Sequence, residues 1–178
     1  MLNYEKVTSK NLKIAIKIQN LIFPLEKNSS NFEMSINQKK FPKCFKILKS
    51  ITYWLVKKNN TYVGITGIYS YIKNPKTSWL GWFGVIPTER RKNFGSQIFE
   101  WTIQEAKKIG YKNFRIYTSL EMNEKGVAFY RSKDFLEEKY TTEKNLSDTI
   151  LIFSKSLTLD KIDLWNNKML NITFLEEN

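Results

Sequence analysis

Apolar residues recur at helical spacing near the N-terminus of the chain. The first stripe predicts an amphipathic helix with Ser9 as its N-cap and an end near Pro24. The apolar members of this stripe are Ile14, Ile18, Leu21, Ile22 and Leu25. Ser30 and Glu33 have the spacing of a capping box, which predicts a second, short helix over residues 31–39.

Alternating apolar and polar residues indicate strands elsewhere in the first half of the chain. The predicted strands cover residues 2–8, 51–57, 61–70 and 78–85. Asn59 and Asn60 separate two of them and suit a tight hairpin, because asparagine tolerates a positive φ. The pair Asn74-Pro75 predicts the next turn.

The second half of the chain continues the alternation of helix and strand patterns. A helix is predicted over residues 95–109, with Gly110 as its C-terminal stop. The further predicted elements are a strand at 114–119, a short helix at 125–133 and an antiparallel pair at 136–146 and 149–157.

This order of elements predicts an α/β (α+β) fold with a mixed sheet and helices on both faces. Residues 1–157 are expected to form a single domain. Residues 158–178 are expected to be an extension that packs on this domain or on a dimer partner, and a lid over the site is the alternative.

Length and composition favour a single domain with one packed core. A chain of 178 residues with 42% hydrophobic content suits one core, and no apolar run approaches the ~20 residues of a membrane span. The N-terminus lacks the pattern of a signal peptide. Cys44 is the single cysteine and there is no histidine, so neither a disulfide framework nor a zinc site is expected. We therefore expect a cytoplasmic protein without a metal.

The formal net charge of +12 raises the alternative of a nucleic-acid-binding protein. The lysines are spread along the whole chain and follow its Lys-, Asn- and Ile-rich composition, which makes a nucleic-acid partner the weaker interpretation. Two of the four arginines, Arg90 and Arg91, fall in one loop. An excess of positive charge would also draw a polyanionic cofactor towards its cleft.

That basic loop joins the apolar segment 79–85 to the helix at 95–109. The first N–H groups of a helix have no internal partner and carry partial positive charge, so a short basic loop containing Gly95 predicts a phosphate-bearing ligand. An ordinary strand-to-helix turn with solvated charges is the alternative. The loop has neither a P-loop ending nor the G-x-G-x-x-G spacing of a dinucleotide fold.

The loop resembles the acyl-CoA loop of the GNAT superfamily of N-acyltransferases, Arg/Gln-x-x-Gly-x-Gly/Ala after Val-x-Pro. The matching residues are Val85, Pro87, Arg90, Asn93, Gly95 and Ser96, with Asn93 where glycine is usual. Residues 123–135 resemble the other signature of that family, Asn-x-x-Ala-x-x-φ-Tyr-x-x-x-Gly-Phe, through Asn123, Phe129, Tyr130 and Phe135. Gly126 and Asp134 depart from it, standing where alanine and glycine are usual.

The resemblance implies a mostly antiparallel sheet in which the parallel strands at 79–85 and 114–119 splay apart around the pantetheine arm of acetyl-CoA. It implies direct attack of an amine on the thioester, with the Val85 N–H polarising the carbonyl and Tyr130 as general acid. The cofactor contacts that it implies are Phe83, Val85, Arg90, Arg91, Lys92, Asn93, Phe94, Gly95, Ser96, Asn123 and Tyr130.

The sequence leaves the base and the acceptor open. Glu26, Glu33 and Glu89 are candidate bases, although each is more typical of a surface carboxylate. The acceptor is expected to be a small-molecule amine or a protein amine, and a homodimer is possible. The alternative to an enzyme is a non-catalytic acyl-CoA sensor or partner subunit.

Overall fold

A single sheet organises the fold. The computed structural model describes residues 1–25, 30–41, 47–140 and 149–166. Its strands are β1 (Asn3–Lys6), β2 (Leu48–Lys58), β3 (Thr61–Tyr71), β4 (Asn74–Leu80), β5 (Gly84–Val85), β6 (Asn113–Ser119), β7 (Leu136–Lys139) and β8 (Ile150–Ser156). In these residues the strand order is β1-β2-β3-β4-β6-β8-β7, with β5 paired to β3, and every pairing except β4–β6 is antiparallel.

Helices cover both faces of the sheet, as the sequence predicts. They are α1 (Leu12–Ile22), α2 (Ser30–Ile36), α3 (Phe94–Ile109) and α4 (Glu124–Arg131), with short 3-10 turns at Gln38–Lys40 and Pro87–Glu89. Buried residues of α1 and α2 pack in one core cluster with Tyr53 and Leu55 of β2. Those of α3 and α4 pack in another with Trp54 and Phe114. The mixed α+β fold is therefore confirmed.

The start of α1 differs from the prediction. Asn11, not Ser9, is the residue at the N-cap. The Thr8 N–H donates to Asn11 Oδ1 at 2.7 Å, and Asn11 Nδ2 donates to the Lys6 carbonyl at 3.0 Å. These bonds tie the first turn to the end of β1, which displaces the helix start from Ser9. The helix ends at Ile22, before Pro24, and Leu25 of the predicted stripe is exposed.

The hairpin between β2 and β3 is confirmed, with Asn59 and Asn60 at φ values of 47° and 63°. The turn predicted at Asn74-Pro75 is wrong, because β4 already begins at Asn74. Proline is tolerated there because the pairing of β4 with β6 begins only at Thr77, so no ladder bond from Pro75 to β6 is needed.

The second half of the chain follows its predicted order closely. Gly110 ends α3 in the left-handed conformation, at φ 98°. β6 and β8 pair antiparallel along their length, from Asn113–Ser156 to Ser119–Ile150. β7 ends at Lys139, and residues 141–146 of the predicted strand lie outside the described residues.

Part of the C-terminal extension, residues 158–166, is described and contacts the domain. Trp165 is 2% exposed and packs in the same cluster as Trp79 and Ile152. The Trp165 N–H donates to the Glu138 carboxylate at 2.9 Å. Arg115, itself buried, donates from Nη2 to the Asp163 carbonyl at 2.6 Å. Residues 167–178 lie outside the description, and a dimer stays a prediction.

We predict that Trp165→Ala destabilises the protein by about 3 to 5 kcal/mol, because it leaves a large cavity in a packed cluster. Leu164→Ala is the matched control: Leu164 is 45% exposed, so its truncation should change stability by no more than about 0.5 kcal/mol. Urea unfolding midpoints measure both. Equal, small effects would show that this segment adds nothing to the stability of the domain.

Candidate active site

The parallel strands β4 and β6 separate shortly after they pair. Their register covers only Thr77–Trp79 against Asn113–Arg115. Beyond this point the segments Leu80–Phe83 and Ile116–Ser119 lie on opposite walls of a cavity of about 440 Å³. This is the splayed pair that the resemblance implies, and the edges that face the cavity are not paired to each other there.

A β-bulge accompanies the separation. Ile68 of β3 faces Leu80, whereas Ile65 faces Gly84, so three steps along β3 oppose four steps along the other chain. The strand predicted over residues 78–85 is therefore broken at 81–83, and the extra residue lies in the break. A Cβ on Gly64 would collide with the Gly84 carbonyl, so the close approach of these backbones requires glycine.

The bulge also decides the direction of the Val85 peptide groups. The Ile86 N–H donates to the Val63 carbonyl at 3.0 Å, and Gly64 faces Val85. Successive pairs of an antiparallel ladder alternate between bonded and non-bonded, so the N–H and carbonyl of Val85 point away from β3. Arg90 Nε donates to that outward carbonyl at 3.1 Å. The N–H of Val85 is therefore directed to the side of the strand where β6 has separated.

The basic loop brings the chain from Val85 to the N-terminus of α3. Arg91 and Asn93 have φ values of 62° and 61°, in the left-handed region. A Cβ added to Gly95 would meet only Val85 Cγ2, at 4.0 Å, so protein atoms leave space beside this turn. Arg91, Lys92 and Asn93 are exposed, and the first N–H groups of α3, on Phe94, Gly95 and Ser96, lie at its open end.

Lys133 is a cation near this loop that the sequence did not single out. Its Nζ lies 3.4 Å from Ser96 Oγ and 3.4 Å from the Glu100 carboxylate. Its proximity follows from the packing of α4 against α3, which a local motif does not reveal. Lys92, by contrast, forms an ion pair with Glu89 at 2.9 Å.

Tyr130 and Asn123 reach the cavity from α4 and its N-cap. Tyr130 packs against Phe99 and Phe153, each with ring centroids 5.7 Å away, and its burial raises the pKa of the phenol, which stays protonated at neutral pH. Asn123 Nδ2 donates to Thr118 Oγ1 at 3.0 Å. Asn123 is the N-cap residue, but its side chain bonds β6 instead of the helix.

The cavity wall contains no charged residue among the described parts of the chain. Its lining is Phe23, Asn31, Ile51, Tyr53, Tyr69, Leu80, Gly81, Trp82, Phe83, Ile116, Tyr117, Thr118, Ser119, Met122, Asn123, Tyr130 and Ile150. Of the candidate bases, Glu33 is exposed and outside this lining, and Glu89 is paired with Lys92. Glu26 lies outside the described residues, as does Cys44.

Each departure from the family signatures has a local structural reason. Asn93 and Asp134 stand where glycine is usual and take φ values of 61° and 57°, a conformation that Asn and Asp adopt more readily than other side chains. Gly126 stands where alanine is usual. A Cβ there would collide with the side chain of Asn123, so this glycine makes room for the bond to Thr118.

The family follows from a comparison of the sequence with family models. The model of the acetyltransferase (GNAT) family matches residues 16–135, which is more than half of the chain. This chain belongs to the GNAT acetyltransferase family. No curated protein is similar enough in sequence to count as a relative.

Solved structures show the same fold at low sequence identity. A GNAT-family protein from Desulfovibrio desulfuricans has a TM-score of 0.72 at 10% identity, over 89% of this chain and 100% of the other. The ribosomal-protein-S18-alanine N-acetyltransferase of Escherichia coli has 0.67 at 15%, over 93% and 99%. Spermidine N-acetyltransferase from Vibrio cholerae, solved with CoA and spermine, has 0.66 at 12%, over 88% and 95%.

In the described ranges no helix is long and apolar enough to cross a membrane. The same residues contain no group of three or more His, Cys, Asp or Glu side chains placed to hold a metal ion.

We predict that Gly126→Ala does not give the usual stabilisation of about 0.5 to 1 kcal/mol for such a change in a helix, because the new methyl displaces Asn123. In an Asn123→Ala background the same substitution should recover that stabilisation. Thermal unfolding of the four proteins forms a double-mutant cycle. Equal effects in both backgrounds would contradict the steric coupling.

Proposed function

We propose that this protein is an N-acetyltransferase that transfers the acetyl group of acetyl-CoA to a primary amine. The observation that carries this proposal is the separation of β4 and β6, which exposes strand edges to a cavity that Tyr130 and Asn123 also line. A GNAT family member with this cavity has the means to bind an amide-rich thioester and to act on it.

The loop and the strand edges divide the binding of acetyl-CoA between them. N–H groups from Asn93 to Ser96, at the start of α3, are suited to the pyrophosphate, with Arg90, Arg91 and Lys92 supplying positive charge nearby. The outward backbone of Val85 offers the amides of the pantetheine arm a strand-like partner, and Phe83 lines the cavity beside it. Asn123 lies on the opposite wall, held by Thr118.

The reaction is a direct displacement on the thioester carbonyl. The neutral amine attacks the carbonyl carbon, a C–N bond forms, and the Val85 N–H stabilises the developing oxyanion. The C–S bond then breaks, and the Tyr130 hydroxyl donates its proton to the departing thiolate. As the amide forms, the attacking nitrogen loses one further proton, which returns the Tyr130 phenolate to a phenol through water. Burial raises the pKa of Tyr130, and it also favours the neutral thiol over a thiolate in the same apolar surroundings.

The amine must lose its proton before it attacks, since an alkylamine with a pKa of ~10 is mostly charged at neutral pH. Neither Glu33 nor Glu89 lines the cavity, so we propose that water accepts this proton. Glu26, outside the described residues, is the remaining carboxylate candidate of the three. The cytoplasmic location stays a prediction from the sequence.

We predict that Gly95→Val weakens CoA binding severely while the fold is retained. The new side chain would fill the space beside the first turn of α3, where protein atoms leave room. Asn93→Gly is the matched variant: glycine also adopts the left-handed conformation, so CoA affinity should be kept or slightly improved. Isothermal titration calorimetry with CoA measures both. Wild-type affinity for CoA in the Gly95→Val variant would show that the loop is a simple turn that does not hold the cofactor.

We predict that Tyr130→Phe binds acetyl-CoA nearly as well as the native protein but turns over about 10²–10⁴-fold more slowly, the usual range for one general acid. Thiol release with a panel of amines measures turnover, and calorimetry measures binding. Unchanged turnover would remove Tyr130 from the mechanism. If the native protein binds CoA and releases no thiol with any amine, the chain is a non-catalytic acyl-CoA-binding module.

A further inference from the structure

The cavity is neutral in its described lining, both beside the β4–β6 gap, where the pantetheine arm is proposed to lie, and around Phe23 and Asn31, on the side left for the amine. Its lining has no Asp, Glu, Lys or Arg. The tyrosines do not supply negative charge either, because burial raises the pKa of the Tyr53 and Tyr69 phenols. The chain as a whole carries a net charge of +12, which repels polycations.

The wall is also rich in aromatic rings. Seven of its side chains are Phe, Tyr or Trp. At the end covered by α1, the rings of Phe23 and Trp82 lie 4.8 Å apart and are tilted against each other. Flat rings of this kind pack well against an apolar or aromatic body, and their faces attract an ammonium group without a carboxylate.

Several polar groups of the wall are engaged with the protein itself, whereas the indole N–H of Trp82 is buried without a hydrogen-bond partner among the described residues. Asn123 donates to Thr118, the Met122 N–H donates to Ser119 Oγ at 3.1 Å, and the Trp82 N–H donates to the Tyr53 hydroxyl at 3.5 Å. A hydroxyl-rich or strongly hydrated acceptor would lose its water contacts here and find few replacements.

We infer that the acceptor is a primary amine whose only charge is the reacting nitrogen and whose body is apolar and flat. This inference rests on the proposed acetyltransferase function and names the substrate class of that site. Polyamines and aminoglycosides carry further positive charges without a carboxylate to pair with them. Amino acids carry a carboxylate, and the described lining offers it no cation.

The decisive comparison uses two amines of the same length. Hexylamine and 1,5-diaminopentane differ only in the far end, a methyl group in one and an ammonium group in the other. Burying an unpaired charge is unfavourable by several kcal/mol, so hexylamine should have a kcat/KM at least about 100-fold higher. 2-Phenylethylamine should exceed hexylamine, because it adds ring packing. Calorimetric titration of each amine into the protein saturated with CoA should give the same order of affinity without turnover.

Two substitutions test the role of charge at the cavity itself. Asn31→Asp places a carboxylate on the wall with almost no change in shape, and should raise the ratio of kcat/KM for 1,5-diaminopentane over hexylamine about tenfold. Asn60→Asp makes the same chemical change at the exposed β2–β3 hairpin and should leave that ratio unchanged.

The possible outcomes separate the acceptor class from the acetyltransferase activity itself. Thiol release with 1,5-diaminopentane or spermidine equal to that with hexylamine overturns the inference and leaves the acetyltransferase function standing. A peptide with a free N-terminus that reacts tenfold faster than 2-phenylethylamine overturns it as well. CoA binding without thiol release from any amine removes the proposed function, and the acceptor class with it.

Discussion

The separation of β4 from β6 is the constraint on which the site depends. Two parallel strands that pair over three residues and then diverge leave N–H and carbonyl groups that no longer bond to the other strand of the pair, in the middle of a sheet. Such groups are costly to bury unless another molecule or water bonds to them. The bulge, the basic loop and α4 all surround this gap. The backbone groups that do not bond across it are therefore available to the amides of a ligand.

Much of the framework follows from local patterns in the sequence. The β2–β3 hairpin was predictable because Asn59 and Asn60 suit positive φ values, and the end of α3 because Gly110 does so more readily. The break after Leu80 was not predictable, since residues 79–85 are a nearly continuous apolar run. The shift in pairing there also depends on β3, which is remote in sequence. Ser9 and Asn11 are both good caps, and only the bonds of Asn11 to β1 decide between them.

The candidate site divides in the same way. The loop and the Asn123–Tyr130 segment are continuous motifs, so the sequence alone identifies them. Lys133 was missed because only the packing of α4 on α3 brings it to Ser96. The lack of charge in the described cavity wall could not be predicted from the sequence either, since the wall combines residues at or near α1, α2, β2 and β6. Local sequence predicts the half of the site that holds a common cofactor better than the half that meets the acceptor.

The bulge at residues 81–83 determines the direction in which the peptide groups and side chains after it point. Because the peptide groups of a strand alternate in direction, one residue more or fewer before Val85 would turn its N–H towards β3 and its side chain out of the core. Substitutions of Trp82 or Phe83 within this short stretch change what lines the cavity. An insertion or deletion of a single residue would instead turn the buried side chains outward and the exposed side chains inward. Length, rather than composition, is therefore the property of this segment on which the orientation of Val85 depends.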